Sequence, residues 1–589
     1  MINQVKWSNE NVKIEEVTIQ ELIKNRIKTP AGLAAIKRKM AKKYKVPCLS
    51  NIKILKSYRE LVKKKKIKRS KKIENLLRTR PIRSLSGIVN VSVLTKPYPC
   101  PGKCLYCPLE RGMPKSYLSG EPAAERAKRL KFNPYLQVKK RIEMLKNEGH
   151  PTDKIDLRII GGTWSYYPKN YQVWFIKECF RACNGFNRTK KSKIKNPYKA
   201  EPSGFRQKSK LQIKIQKLEK IQKRNEKAKS RITGISVETR PDFINERGVK
   251  FMRELGITRV ELGVQSVFDD VLKLNLRGHG VREIILATKI LKDAGFKICY
   301  QVMPNLLGSD LERDEKMFKG LFSNSNFSPD YLKIYPCALL KETPLYKWYL
   351  KGKYKPYPKE ELIDLTKKIK LKIPYYVRIQ RITRDIPSQY IIEGGAKISN
   401  LRQIVQEKMK NENLKCKCIR CREVRKKYNP KEKIYLFREN YEASGGKEIF
   451  LSFESLDYNP PTTILDFVGA PADKRRSSTL INADRKLYAL LRLRIPSQFF
   501  ERKKHFIKIL DGAAIIREIQ TFGEVVPIGA KKIAPQHRGL GKKLIKEAEK
   551  IVKKEFGLRK IAVISGVGVR DYFKKLGYGL KTTYMTKEI

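Results

Sequence analysis

The chain has 589 residues and carries 130 Lys+Arg against 58 Asp+Glu, a formal charge of +72. An excess of that size repels basic proteins and points to a polyanionic partner, nucleic acid first. A Lys-rich heat-adapted composition would bring glutamate along with lysine, and here it does not.

No apolar run approaches the ~18 residues of a membrane span, and the polar first 28 residues do not read as a signal peptide. The length suits about two to four domains. Most of the 11 cysteines fall in close clusters, which suits metal ligation in a reducing cytosol better than a disulfide framework. A cytoplasmic protein without a membrane partner is expected.

Residues 1–80 are strongly basic, with a short amphipathic helix at 31–40 and the tract Lys63–Arg69; they read as a phosphate-facing region. Over 81–390, apolar β-branched runs at 87–94, 155–162, 232–239, 259–265, 297–303 and 331–335 alternate with helical patterns such as 124–147 and 281–294. That alternation predicts a parallel sheet of partial-barrel type, (β/α)6, with chemistry at the C-terminal ends of its strands. A Lys- and Arg-rich insertion at 187–231 reads as facing solvent or RNA. Residues 391–446 form a connector, and 447–589 a second α/β unit with strands at 449–453, 487–493, 513–520 and 560–565 and a helix at 541–555.

Directly after the first run stands Cys100-Pro-Gly-Lys-Cys104-Leu-Tyr-Cys107. At C-x3-C-x2-C spacing one loop supplies three thiolates to a [4Fe-4S] cubane and leaves one iron open for a substrate or cofactor, of which S-adenosylmethionine (SAM) is the best known. A zinc site would want a fourth ligand nearby, and none is present. Gly161, Gly162 and Thr163 end the second run, where glycines let a backbone approach the methionine part of such a cofactor. Cys416, Cys418 and Cys421 suit structural zinc, with Cys337 as a candidate fourth ligand and unliganded thiols as the alternative. Gln536-x2-Gly539-Leu-Gly541-Lys542, opening a helix, presents backbone N–H groups to a pyrophosphate. A strand before it and another after it give the order of an acetyl-CoA-binding acyltransferase. There Glu518 is a better base candidate than His505 or His537.

The set Cys100/Cys104/Cys107, Val237–Asp242, Glu261–Ser266, Arg277-Gly-His279, Lys333–Pro336, Gln536–Gly541 and Val563–Arg570 resembles the catalytic subunit of Elongator, in an archaeal or bacterial form. The resemblance runs from about Arg80 to the C-terminus. It implies an α/β chain in which a partial TIM-type radical SAM barrel is fused to a GNAT-type acetyltransferase domain. The implied activity is attachment of a carboxymethyl group to C5 of the wobble uridine of tRNA, using a 5′-deoxyadenosyl radical and acetyl-CoA. The implied partners are tRNA and an external electron donor, and a homodimer stays open. Acetyl-CoA would meet Lys154, Glu518, Ile519, Gln520, Thr521, Leu540, Gly541, Lys542 and Phe573. SAM would meet Gln265 besides the glycines, and Lys333 and Tyr572 would be catalytic. The family carries a Tyr-Tyr pair where this chain has Tyr572-Phe573, so any acid role falls to Tyr572. The competing expectation, a protein lysine acetyltransferase with a structural cluster, suits a basic surface poorly.

Overall fold

The computed structural model describes residues 13–84, 86–185, 205–425, 432–456, 464–467, 485–523 and 539–589. It forms two compact units: Met1–Val89 with Lys139–Lys154, and Asn90–Val138 with Ile155–Ile589.

The first unit is helical at its N-terminal end. Helices Ile14–Lys24, Pro30–Lys43, Asn51–Lys63 and Lys71–Leu77 bury Ile19, Leu22, Leu33, Ile36, Ile54, Leu55, Tyr58 and Leu61 in one apolar cluster. The starts of the last three are set by Thr29, Ser50 and Ser70, whose side-chain oxygens accept N–H groups that the first helical turn leaves unpaired. The lysines and arginines of these helices occupy the solvent side, so the helix expected at 31–40 is one member of a charged bundle.

The second unit holds two sheets. Strands β1 (Val89–Leu94), β2 (Lys154–Ile160), β3 (Arg231–Thr239), β4 (Arg259–Gln265), β5 (Lys297–Val302), β6 (Tyr331–Ile334) and β7 (Arg378–Ile382) make a sheet in strict sequence order. β3 to β7 are parallel. Sequential order without reversal is the winding of a barrel rather than of a doubly wound sheet. Since β1 and β7 do not pair, the barrel is partial. β7 is a seventh strand that the apolar-run reading does not include, because Arg378, Gln380 and Arg381 break its hydrophobic signal. The helix expected at 124–147 is two helices, Pro122–Arg129 and Pro134–Asn147, since the residue before a proline is driven out of helical geometry.

The other sheet has eight strands in the order β10-β8-β9-β11-β12-β13-β15-β14. They are β8 (Tyr435–Ala443), β9 (Gly446–Leu456), β10 (Ile464–Phe467), β11 (Arg485–Ile495), β12 (Ala513–Thr521), β13 (Lys560–Val563), β14 (Gly579–Lys581) and β15 (Tyr584–Glu588). β8 falls within the expected connector, so this sheet begins at Tyr435. The helix Leu540–Phe556 joins β12 to β13, which pair in parallel over only Ala513–Ile516 and Lys560–Val563. Beyond Ile516 the two strands part.

The second sheet meets the partial barrel at the N-terminal ends of the barrel strands. A Cβ on Gly566 would lie 2.0 Å from the Thr233 carbonyl oxygen near the start of β3, so only glycine allows that approach. Tyr584 donates to Ala294 O at 2.8 Å, just before β5. The seam is ionic. Arg517 donates to Asp330 (2.9 and 2.5 Å), to Glu448 (2.8 Å) and to Phe296 O (2.6 Å). Arg494 binds Asp293 at 2.6 Å and Glu448 at 3.1 Å. All five charged groups are buried, and guanidinium forks suit such multiply hydrogen-bonded pairing.

Candidate active site

The cysteine loop follows β1 at the C-terminal ends of the barrel strands. Thr95 Oγ1 donates to Gly161 O at 2.6 Å and Tyr167 Oη to Lys96 O at 2.7 Å, tying the exit of β1 to the exit of β2. Tyr98 stacks on Tyr167 at 4.9 Å and Tyr167 on Tyr171 at 5.0 Å. Farther along, Leu105 N donates to Asn275 O and Leu345 N to Leu105 O, while Arg384, after β7, holds Ser116. The loop is thus pinned by segments from across the sheet.

Cys104 is buried, with Cys100 and Cys107 partly exposed. Burial pushes the Cys104 thiol up. The Arg277 guanidinium, whose Nη1 lies 3.5 Å from its sulfur, and the nearby Tyr106 and Arg240 outweigh burial and hold it below the ordinary thiol range. Cys107, by burial and by the charge of Cys104, is pushed up to about 11. Around them Arg240 is clamped to Asp242 at 2.8 Å, and Arg277 donates to Gly263 O at 2.5 Å. Arg240 Nη1, Arg277 Nε and His279 Nε2 are buried without hydrogen-bond partners. Burial and the Arg277 charge lower the His279 pKa to about 4, so its imidazole is neutral at pH 7. Orphaned donors and an unpaired buried guanidinium are costly unless something anionic completes them. An iron–sulfur cluster with three thiolate ligands, and a carboxylate-bearing cofactor beside it, would do so. The residues fit the group.

Arg240, Asp242, Arg277 and His279 belong to the motifs that carry the sequence resemblance, yet the sequence alone assigns them no role. For Arg240 and Asp242 the signal is charge placed directly after β3, at the catalytic end of a barrel; Arg277 and His279 follow the helix Asp269–Leu274 instead and carry no such signal.

Gly161 (φ +114) and Gly162 (φ +70) leave β2 in the left-handed region, and a Cβ on Gly161 would collide with Thr95 Oγ1 at 2.4 Å. Thr163 is buried next to them, and Gln265 ends β4, buried at φ +73. Lys333 lies inside the barrel on β6, where its ammonium binds Glu261 and, at 3.1 Å, Glu238. Burial lowers the Lys333 pKa and Glu261, Tyr335 and Glu238 more than reverse this, so it stays a cation. Glu238 also accepts from Tyr117 (2.6 Å) and Gln301 (3.0 Å), so Lys333 belongs to a saturated polar layer.

On the second sheet, Ile519 and Thr521 of β12, Gly541 at the head of the helix Leu540–Phe556, and Tyr572 come together. A Cβ on Gly541 would lie 3.0 Å from Tyr572 Oη, 3.6 Å from Ile519 Cδ1 and 3.9 Å from Thr521 Cγ2. Gly539 caps that helix at φ +69, followed by Leu540, buried, and Lys542, exposed. Phe573 is buried, edge-on to Tyr572 at 5.3 Å. Gln536 and His537 lie outside the described residues. A strand that parts from its neighbour, a helix N-terminus without a side-chain cap, and a phenol thus lie together.

Glu518 does not stand free as a base. Its carboxylate accepts from Arg492 Nε at 2.8 Å and from the Tyr331 hydroxyl; burial raises its pKa, and Arg492 and Lys297 pull it below the usual carboxylate range. His505 accepts from Ile507 N at 2.9 Å and contacts Asp293 O at 3.0 Å, a packing role. Lys154 is the first residue of β2.

Cys416, Cys418 and Cys421 bring their sulfurs within 4.8 Å of one another, the one such group of ligand residues among the described residues. Lys370 Nζ lies 3.6 Å from Cys421 Sγ. The structure does not bring Cys337 to them: it is buried in an apolar cluster with Leu105, Met303, Leu339 and Tyr354, where burial pushes its thiol up to about 12. The three-thiol knuckle bonds to both sheets, through Ile419 N to Val377 O, Val424 N to Leu487 O, and Arg422 to Glu454 (2.5 Å).

A partial parallel barrel whose first strand leads into a three-cysteine loop defines a radical SAM protein, and the sequence model of the Radical SAM superfamily matches residues 98–319. The model of the Radical_SAM C-terminal domain matches 329–411. The tRNA uridine(34) acetyltransferase of Methanocaldococcus infernus is 42% identical over 528 residues, covering 87% of this chain and 88% of the relative. The human Elongator complex protein 3 is 35% identical over 531 residues, covering 87% and 86%. The solved structure of archaeal Methanocaldococcus infernus Elp3 with an N-terminal deletion superposes with a TM-score of 0.66 at 39% identity, covering 86% of this chain and 100% of that one. The chain belongs to the Elongator complex protein 3 family of tRNA uridine(34) acetyltransferases.

Proposed function

We propose that this protein is a tRNA-modifying enzyme that builds a carboxymethyl group on C5 of the wobble uridine from acetyl-CoA, by radical chemistry. Cys100, Cys104 and Cys107 would hold a [4Fe-4S] cluster, with Arg277 and Arg240 beside the ligand loop. Gly161, Gly162, Thr163 and Gln265 would line SAM. When bound, the cluster supplies the electron that splits SAM into methionine and a 5′-deoxyadenosyl radical. That radical would take a hydrogen from the acetyl methyl and leave as 5′-deoxyadenosine, and the carbon radical would add to C5 of uridine. The adduct would return one electron to the oxidised cluster and lose the C5 proton to solvent, restoring the ring, and water would hydrolyse the thioester with release of CoA.

The chain's own residues then have distinct roles. Ile519, Gln520, Thr521, Leu540, Gly541 and Lys542 would bind acetyl-CoA, with Phe573 contributing and Tyr572 presenting the phenol. Lys333 keeps its charge inside the barrel, where it orders Glu238 and Glu261. Cys416, Cys418 and Cys421 would supply three of the four ligands that a structural zinc ion takes, the fourth coming from a donor other than Cys337. The charge of +72 supports tRNA as the partner, an external donor would supply the electron, and no helix among the described residues is long and apolar enough to cross a membrane, in keeping with a cytoplasmic enzyme.

The observation that carries this reading is the presence, in one compact unit, of a thiol loop with orphaned cationic donors and a strand-and-helix cleft of acyl-CoA type. Reconstituted protein, given a reductant, SAM and acetyl-CoA, should release 5′-deoxyadenosine, with deuterium from CD3-labelled acetyl-CoA incorporated into it. Unlabelled 5′-deoxyadenosine throughout would refute hydrogen abstraction from the acetyl methyl.

A further inference from the structure

β12 carries a bulge. Arg492 of β11 pairs with Glu518 and the next residue, Leu493, with Ile516, so Arg517 has no partner across the strands. A bulge re-aims side chains that regular pleating would send to opposite faces. Here the consecutive residues Arg517 and Glu518 both reach the barrel, and they meet consecutive residues there: Arg517 binds Asp330 (2.5 Å) and Glu518 accepts from the Tyr331 hydroxyl. Arg492 closes the clasp, donating to Glu518 at 2.8 Å and to Tyr376 O at 2.6 Å before β7.

The position of the clasp matters. Ile516 is the last residue of β12 paired with β13. The residues just beyond the bulge, Ile519 and Thr521, face Gly541. Residues 519–521 stay paired with Leu491–Ala489 of β11, so the grip on Glu518 acts together with that ladder on where the end of β12 lies relative to the head of the helix Leu540–Phe556.

We propose that Asp330 and Tyr331, at the start of barrel strand β6, are positioning residues for the acyl-donor cleft. They grip the bulge and, together with the β11 ladder, set the course of residues 518–521. The inference rests on the reading of that cleft as an acetyl-CoA site. It gives the radical barrel a second role, since its C-terminal end carries the cysteine loop while its N-terminal end shapes the acetyltransferase cleft.

The test is calorimetric binding of acetyl-CoA to the full chain, with the KM and kcat of acetyl-CoA hydrolysis measured alongside. Tyr331→Phe removes one hydroxyl that donates to a carboxylate, and should weaken acetyl-CoA binding and raise its KM by about tenfold with kcat retained. Tyr584→Phe removes another buried hydroxyl of the same seam, away from the bulge, and should leave binding unchanged while lowering the thermal midpoint about as much. Equal binding by the unaltered protein and Tyr331→Phe overturns the proposal, as does an equal loss from Tyr584→Phe. No binding by the unaltered protein overturns the reading of the cleft itself, and the proposal with it.

Discussion

At the C-terminal ends of the barrel strands, Arg277 is buried against the Cys104 thiol, with no ion-pair partner among the described residues. At the N-terminal ends, Arg517 is buried to the same degree and gripped by Asp330 and Glu448. Both leave Nε without a hydrogen-bond partner among the described residues, and they differ in that carboxylates face Arg517 while a thiol and a carbonyl face Arg277. A buried ion pair fixes geometry, because removing either partner strands the other charge. A buried guanidinium that no carboxylate faces is a binding determinant waiting for an anion. The barrel therefore divides its roles by end, with recognition at the cysteine loop and rigidity at the seam.

The comparison can be broken most severely at the loop. Cys104→Ala should abolish 5′-deoxyadenosine formation while the thermal midpoint changes little. Retained SAM cleavage would remove the cluster from that loop. Next in size is Arg517→Met, which leaves Asp330 and Glu448 without their main cation and should cost about 3–5 kcal/mol in urea unfolding. Arg277→Met should instead lower the bound iron with a much smaller stability loss, since no carboxylate is stranded. Equal destabilisation by the two would erase the distinction between the ends.

Acid sharpens the same contrast. Burial raises the Glu454 pKa, but Arg422 and Arg485 outweigh it and hold the folded value down to about 2, against 4.5 for a free glutamate. A depressed carboxylate contributes stability that is fully present above pH 4.5 and lost as pH falls toward 2. The thermal midpoint should drop through that window, and a Glu454→Gln variant should show a shallower drop. The smallest effect is expected at Phe573→Tyr. Tyr572 already places a hydroxyl beside Gly541, so acetyl-CoA turnover should change less than it does in Tyr572→Phe.

Local signals are readable in the sequence and distant ones are not. The cysteine loop and the Gly539–Gly541 turn are short motifs with their chemistry written in order, and β3 to β6 stand out as β-branched runs. β7 and β8 escape because their faces alternate charge, as in Arg378-Ile-Gln-Arg. The clasp is invisible at sequence level: Asp330 and Arg517 are joined only by how one sheet seats on the other, and a bulge leaves no hydropathy signature. Cys337 illustrates the converse. Its position after Tyr335-Pro336 suggests a fourth ligand, yet apolar neighbours claim it for packing.

The central claim is that the radical site and the acyl cleft act on one acetyl group. It is tested most directly by mass spectrometry of tRNA nucleosides after reaction with acetyl-CoA carrying two carbon-13 atoms in the acetyl group. The account predicts a doubly labelled carboxymethyl group on the wobble uridine that requires SAM and is lost in Cys104→Ala. Label appearing on the uridine without SAM, or surviving Cys104→Ala, would contradict it.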